Sequence, residues 1–264
     1  YLMSSDFAGA VRELLKNDFG PDFRTIYQIS PAGCQSPRDL VRHYASEPDF
    51  WHADGVTVLA ERLRQAVLNP VEIYPEEADP LLKVTPIRIT LPKRRASYAD
   101  YRAAKAEVAR LTAIMPKDKA FEDFCAETHA NEAKNGPGPY DSKLHHFVLI
   151  ENAEAVIRRY ETQNKKPTIS FDSVILRIGD AAMASNPFEL YLYFGQIIKA
   201  RSHAKQTFLV QLSIGADESA GYLPSPAAEQ FGGYGGCIIN GTAGSDGGYL
   251  LADRQAEAIN ALFE

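Results

Sequence analysis

Ser36, Glu189, Tyr222 and Tyr234 are of types that can do chemistry and lie in loops or at strand ends, and each also has a plainer structural reading. Ser36 lies in Gly33-Cys-Gln-Ser-Pro-Arg-Asp39 after a predicted strand, where a hydroxyl can stand exposed as a nucleophile. The pattern is not the Gly-x-Ser-x-Gly elbow of strand-to-helix nucleophiles. Ser36 as N-cap, Pro37 at the first helical position and Asp39 in the first turn also make an ordinary helix start. Glu189 closes Asn186-Pro-Phe-Glu189, and its spacing favours a capping box in which the carboxylate reaches back to its own helix. A carboxylate there would also stand at the end of a strand, facing the crevice where α/β proteins bind ligands. Tyr222 and Tyr234 sit in a stretch of prolines and glycines, Gly221 to Gly236, which neither residue type lets form a long regular element. The plainer reading is that both rings pin this loop to the body by burying area, although loops on a rigid scaffold also carry function.

Metal-ligating types are scattered. Cys125, His129 and Glu132 would share one helical face, but three ligands from one short helix rarely close a site. His145 and His146 are adjacent and on a strand would point to opposite faces. His43 and His52 flank Pro48 and Trp51 in a predicted loop and read as surface or packing histidines. A serine hydrolase using Ser36 with either of them is the weakest reading, because no oxyanion-hole motif accompanies the serine.

The elements that must position these residues follow from hydrophobic spacing. A short amphipathic helix from Ser5-Asp6-Phe7 runs through Val11, Leu14 and Leu15 to the stop at Gly20-Pro21. Residues 23 to 29 read as a strand, and a helix through Val56, Leu59, Leu63 and Val67 ends at Asn69-Pro70. Residues 84 to 91 read as a strand whose Pro86 marks an edge. Residues 93 to 165 read as a helical arm, with charged, alanine-rich helices over 98–115 and 147–163 and a polar loop at 131–140. Then come strands over 169–178 and 181–185, a helix over 187–201, a strand over 207–213 and a last helix over 253–263. The strand-helix-strand unit requires a crossover onto one sheet. The fold class is α/β: one domain over 1–264, a mixed β-sheet flanked by helices, with the helical arm inserted in the middle.

Hydrophobic residues make up 45% and charged residues 23% of the 264, as in ordinary globular chains. A net charge of -6 argues against a nucleic-acid partner, and the tight basic run Lys93-Arg94-Arg95 reads as a solvated start of a helix. Cys34, Cys125 and Cys237 are too far apart for a zinc ribbon and do not suggest a disulfide framework. No apolar run reaches transmembrane length. The chain opens on Tyr1-Leu-Met-Ser-Ser without an initiator methionine or signal peptide, as a processed terminus or a fragment would.

Taken in order, three blocks resemble the neutral (non-lysosomal) ceramidase family. Ala32-Gly-Cys-Gln-Ser-Pro-Arg38 is similar to its serine block, with Cys34 where the family carries an aspartate. Ile178 to Glu189, followed by Gly195 and Ile198-Lys199, is similar to its glutamate and glycine-lysine helix. Gly221-Tyr-Leu-Pro-Ser-Pro226 with Tyr234-Gly-Gly236 is similar to its paired-tyrosine loop. The resemblance implies a zinc-dependent hydrolase of N-acyl-sphingosine-type amides, represented by the C-terminal part of its catalytic domain. It implies Glu189 and Tyr222 as zinc ligands and Ser36 and Tyr234 as catalytic residues. The family's zinc histidines would come from an N-terminal segment of the same protein, and the family location would be extracytoplasmic. A non-catalytic relative that keeps the fold as a binding or structural protein is the alternative.

Overall fold

The computed structural model describes residues 4–36, 53–69, 79–133, 144–213 and 215–264. In chain order the elements are α1 (Asp6–Phe19), α2 (Ala53–Leu68), β1 (Leu82–Pro92), α3 (Tyr98–Ile114), α4 (Lys117–Ala133) and α5 (His146–Thr162). They continue with β2 (Thr168–Ile178), β3 (Ala181–Ser185), β4 (Glu189–Leu190), α6 (Leu192–Arg201), β5 (Gln206–Val210), β6 (Tyr222–Leu223), α7 (Pro226–Phe231) and α8 (Ser245–Asn260).

Period-two alternation builds the main sheet. Ile169, Phe171, Ser173 and Ile175 of β2 are buried, and so are Ile89 and Leu91 of β1 opposite them. The intervening pairs Thr90–Ser170 and Arg88–Asp172 face outward and bond across the strands at 2.8 and 3.2 Å. One face is therefore apolar and one solvated, as a half-covered sheet requires. The sheet has four strands in the order β1-β2-β3-β5, antiparallel for the first two pairs and parallel for β3 with β5. β1 lies at the edge, which is where Pro86 can sit without costing a ladder bond. The parallel pair is joined through α6, as the strand-helix-strand pattern demanded.

Helices α6 and α8 cover the apolar face. Phe194, Ile198, Leu251, Ala252 and Ile259 are buried against it, and the α8 residue Gln255 donates from Nε2 to Ser173 Oγ (3.0 Å) and to the Ser185 carbonyl (2.9 Å). α8 begins at Ser245, two turns before the helix expected from residue 253; its first turns carry Gly247 and Gly248, buried where a side chain at Gly248 would overlap Phe194.

The arm between β1 and β2 is helical. A capping box opens α3: Ser97 Oγ accepts from Asp100 N (3.1 Å), and Asp100 Oδ2 accepts from Ser97 N (2.8 Å). Leu111, Ala120 and Ile150 form a small core of their own, and Tyr101 stacks on Tyr160 at 4.5 Å. His145 and His146 start α5 rather than lying on a strand. His145 caps it by accepting from Phe147 N (3.2 Å), and His146 Nε2 sits 3.0 Å from the Leu111 carbonyl.

Two expected elements differ. Residues 23–29 form no strand: Ile26 is 84% exposed, and the segment meets the sheet edge only where Gln211 N donates to the Ile29 carbonyl (3.1 Å). β propensity without a partner ladder does not make a strand. The helix expected over 187–201 begins only at Leu192, and the residues before it are drawn into β4. Among the described residues no helix is long and apolar enough to cross a membrane.

Candidate active site

The decisive local event is the capture of β4 by β6. Glu189 N donates to the Gly221 carbonyl (3.0 Å) and Tyr191 N to the Leu223 carbonyl (3.2 Å), so these amides cannot enter a helix ladder. Asn186 therefore caps nothing: its Oδ1 accepts from Phe188 N (3.1 Å) in a tight local turn. The capping-box reading of Asn186-Pro-Phe-Glu189 is overturned, because the main chain it needed is committed to a distant strand.

The strand pairing orients the side chains. β4 and β6 run parallel with Glu189 opposite Tyr222 and Leu190 opposite Leu223. Both leucines are fully buried in the core, so alternation turns Glu189 and Tyr222 together toward the other face. As register partners turned to one face, the Tyr222 phenol and the Glu189 carboxylate are neighbours. Burial, hydrogen bonding toward Glu189 and the charge of that carboxylate push the Tyr222 phenol well above the ordinary tyrosine range. Tyr234 meets Tyr222 edge to face, with ring centroids 5.6 Å apart and planes at 82°. Tyr234 is 57% exposed, so it leaves its loop largely solvent-facing rather than pinning it by burial.

The serine loop closes the other side of β4. Gly33 N donates to the Leu190 carbonyl (2.9 Å), and Leu192 N donates to Cys34 Sγ (3.4 Å). Gln211 Oε1 accepts from both Ala32 N (3.1 Å) and Leu190 N (3.0 Å), one buried amide oxygen joining loop and strand. A Cβ at Gly33 would run into the Glu189 carbonyl oxygen, so this approach requires glycine. Ser36 is exposed, two residues beyond Cys34. The helix start at Pro37, and His43 and His52, lie outside the described residues.

Two participants were not recognised from sequence. Gln211 had no local signal. Tyr191 had one, since it lies two residues from Glu189 and shares its face on a strand. Its ring and that of Tyr222 close over Gly235, where a Cβ would fall 2.5 Å from the Tyr191 hydroxyl and 2.8 Å from Tyr222 Cδ1. Burial, with Cys34 nearby, raises the Tyr191 phenol as well.

The residues present do not make up a zinc site by themselves. Glu189 and Tyr222 give two donors where a catalytic zinc takes three from the protein. Among the described residues no three His, Cys, Asp or Glu side chains are grouped to hold a metal ion. Cys125 and His129 do share α4 at helical spacing, while the side chain of Glu132 lies outside what is described. The Tyr222 phenol holds its proton more tightly than an ordinary tyrosine, and a cation bound to it would have to displace that proton.

No protein-family model, curated protein or solved structure matches this chain.

The raised phenol gives a stability test. Tyr222 holds its proton to a higher pH when folded than when unfolded, so its contribution is fully present below the ordinary value of 10.0 and is lost as pH rises above it. Urea unfolding between neutral pH and the alkaline limit is expected to show stability falling, with a shallower fall in Tyr222→Phe. An unchanged alkaline slope in that variant would place the titrating group elsewhere.

Proposed function

We propose that this chain belongs to an amide hydrolase resembling the neutral ceramidases, cleaving the C–N bond of N-acyl-sphingosine-type amides. The observation that supports it most is the pairing of Glu189 with Tyr222, with Tyr234 edge-on to the same ring. In this reading the Tyr234 hydroxyl donates to the amide oxygen as negative charge develops on it. Ser36 contributes its exposed hydroxyl from the loop that is hydrogen-bonded along β4. Zinc belongs to the proposal, with Glu189 and Tyr222 as two of its donors and the others supplied from beyond the described residues.

The test is to titrate zinc calorimetrically into this 264-residue chain and into the longest polypeptide its reading frame encodes. Each is then assayed on a fluorescent N-acyl-sphingosine. Weak zinc binding and little turnover are expected for the chain alone, and a histidine-bearing segment should restore both. In the active form, Tyr234→Phe is expected to lower kcat about a hundredfold, as loss of one oxyanion donor does. A zinc-loaded longer protein inert toward ceramides and simpler amides alike would overturn the hydrolase reading.

A non-catalytic binding or structural protein is the second reading. The observation favouring it is that burial and the neighbouring Glu189 carboxylate make the Tyr222 phenol hold its proton, where a zinc ligand would give it up. Under it, substitutions at either residue change stability and leave no turnover to lose.

A further inference from the structure

Of the run Lys93-Arg94-Arg95, Arg95 alone stays exposed at the start of a helix. Lys93 and Arg94 are half-buried, with their amides bonded to the Pro167 and Thr242 carbonyls, each at 2.9 Å. Their side chains enter a cleft of about 330 Å³ between the end of β1, the last turns of α5 and the strand-free segment around Glu218. Six cationic side chains line this cleft, Lys93, Arg94, Arg158, Arg159, Lys165 and Lys166, and Glu218 is the one carboxylate among its lining residues.

The acidic partners do not account for all six. Lys93 pairs with Glu218 (2.6 Å), and Lys166 with Asp217 (3.2 Å) and Glu218 (3.5 Å). Arg158 pairs with Glu154 (3.3 Å) and Glu151 (3.4 Å), and Arg94 with Glu229 (3.3 Å). Arg159 reaches only carbonyl oxygens, those of Gly241 (2.8 Å) and Arg94 (3.5 Å). Among the described residues, neither Arg159 nor Lys165 has a carboxylate within ion-pair distance. Burial and the like charge of Arg94 hold the Arg159 guanidinium below its ordinary range, as expected of a half-buried cation without a matching anion.

We propose that this cleft binds a phosphate-type oxyanion, gripped by Arg159, with Lys165 and Lys93 completing its surroundings and Arg94 adding charge beside it. Guanidinium groups match phosphate oxygens in a two-pronged geometry, and ammonium groups add point charge. The cleft is roomy enough for a phosphate together with its ester substituent. It also has a mechanical link to the paired tyrosines. Arg94 Nη1 holds the Gly236 carbonyl (2.6 Å) and Arg159 Nη1 the Gly241 carbonyl, bracketing the turn that follows Tyr234 and flanks Tyr222.

The experiment titrates inorganic phosphate into the folded chain at constant ionic strength, with chloride as the balancing anion. Saturable binding is expected, weakened about tenfold in Lys165→Glu, as for loss of a charge-assisted contact. Lys165 is exposed and unpaired, so this variant retains the fold; Arg159→Gln, checked for folding by circular dichroism, should weaken binding at least as much. Co-sedimentation with phosphatidylcholine vesicles, with and without phosphatidic acid, separates the sources. Phosphate-displaceable binding to phosphatidic acid marks a lipid headgroup, and phosphate binding without vesicle binding marks a soluble ester. Absence of saturable phosphate binding overturns the proposal, and so does Lys165→Glu binding as the unaltered chain does. Neither result depends on whether amides are hydrolysed.

Discussion

Replacing Gln211 by leucine is expected to loosen the serine loop from β4 and to destabilise the protein by about 2–6 kcal/mol, since it orphans two amide donors at about 1–3 kcal/mol each. The side chain is nearly buried, and its Oε1 is the shared acceptor for Ala32 N and Leu190 N. Leucine keeps most of the volume and removes the acceptor, so packing loss contributes little. Leu190 N lies between the core and the loop, where water cannot readily replace the lost bond. Urea denaturation measures the stability change. Hydrogen exchange at the Ala32, Gly33 and Leu190 amides measures the loosening, and all three should speed up together in the variant. Fast exchange at Ala32 alone would mean that the loop hangs on Gln211 while β4 is held independently by β6.

Phe194→Ala is expected to cost about 3–5 kcal/mol, the usual range for emptying a fully buried aromatic site. The ring is completely buried, meets Tyr249 edge to face at 5.4 Å and lies against the backbone of α8. Its neighbour sets up an internal control. A Cβ added at Gly248 would overlap the Phe194 ring, so Gly248→Ala alone should destabilise by overpacking, about 1–3 kcal/mol. In the double variant the alanine methyl enters space the ring has vacated. The two costs should then fall short of additivity, as for residues sharing one cavity. Additive costs would show that α8 shifts away from the ring rather than meeting it. Because α8 also covers β1, β2 and β3, either single change should lower the cooperativity of the whole sheet rather than of the arm.

The path from sequence to site was legible in part. Glu189, Tyr222, Tyr234 and Ser36 were grouped through the family resemblance; β6 and the loop before Ser36 both bond to β4, and Tyr234 packs on Tyr222. The favoured local reading of Glu189 as a helix cap was nonetheless wrong. Asn-Pro-x-Glu satisfies every short-range rule for a cap, but those rules count only bonds within a few residues. The carbonyls of Gly221 and Leu223 lie more than a full element away in sequence and take the same amides first. Lys93 and Arg94 depart from the solvated reading for the same reason, since Pro167, Glu218 and Thr242 fold against them, while Arg95 stays exposed.

What the sequence determined by itself was everything carried by period and punctuation. Alternation in residues 169–175 set the buried face of β2, Pro86 assigned β1 to an edge, and the strand-helix-strand spacing made β3 and β5 parallel neighbours. Ser97 and Asp100 started α3 through bonds that span only three residues. Tertiary structure decided which of two locally acceptable conformations residues 187–191 adopt, that residues 23–29 remain without a strand partner, and that Gln211 joins the loop at Ala32 to β4 with one oxygen. In each case the free energy difference lies in hydrogen bonds and burial between distant segments. Local propensity is worth tenths of a kcal/mol per residue, and a buried amide left unpaired costs about 1–3 kcal/mol, so the distant partner wins.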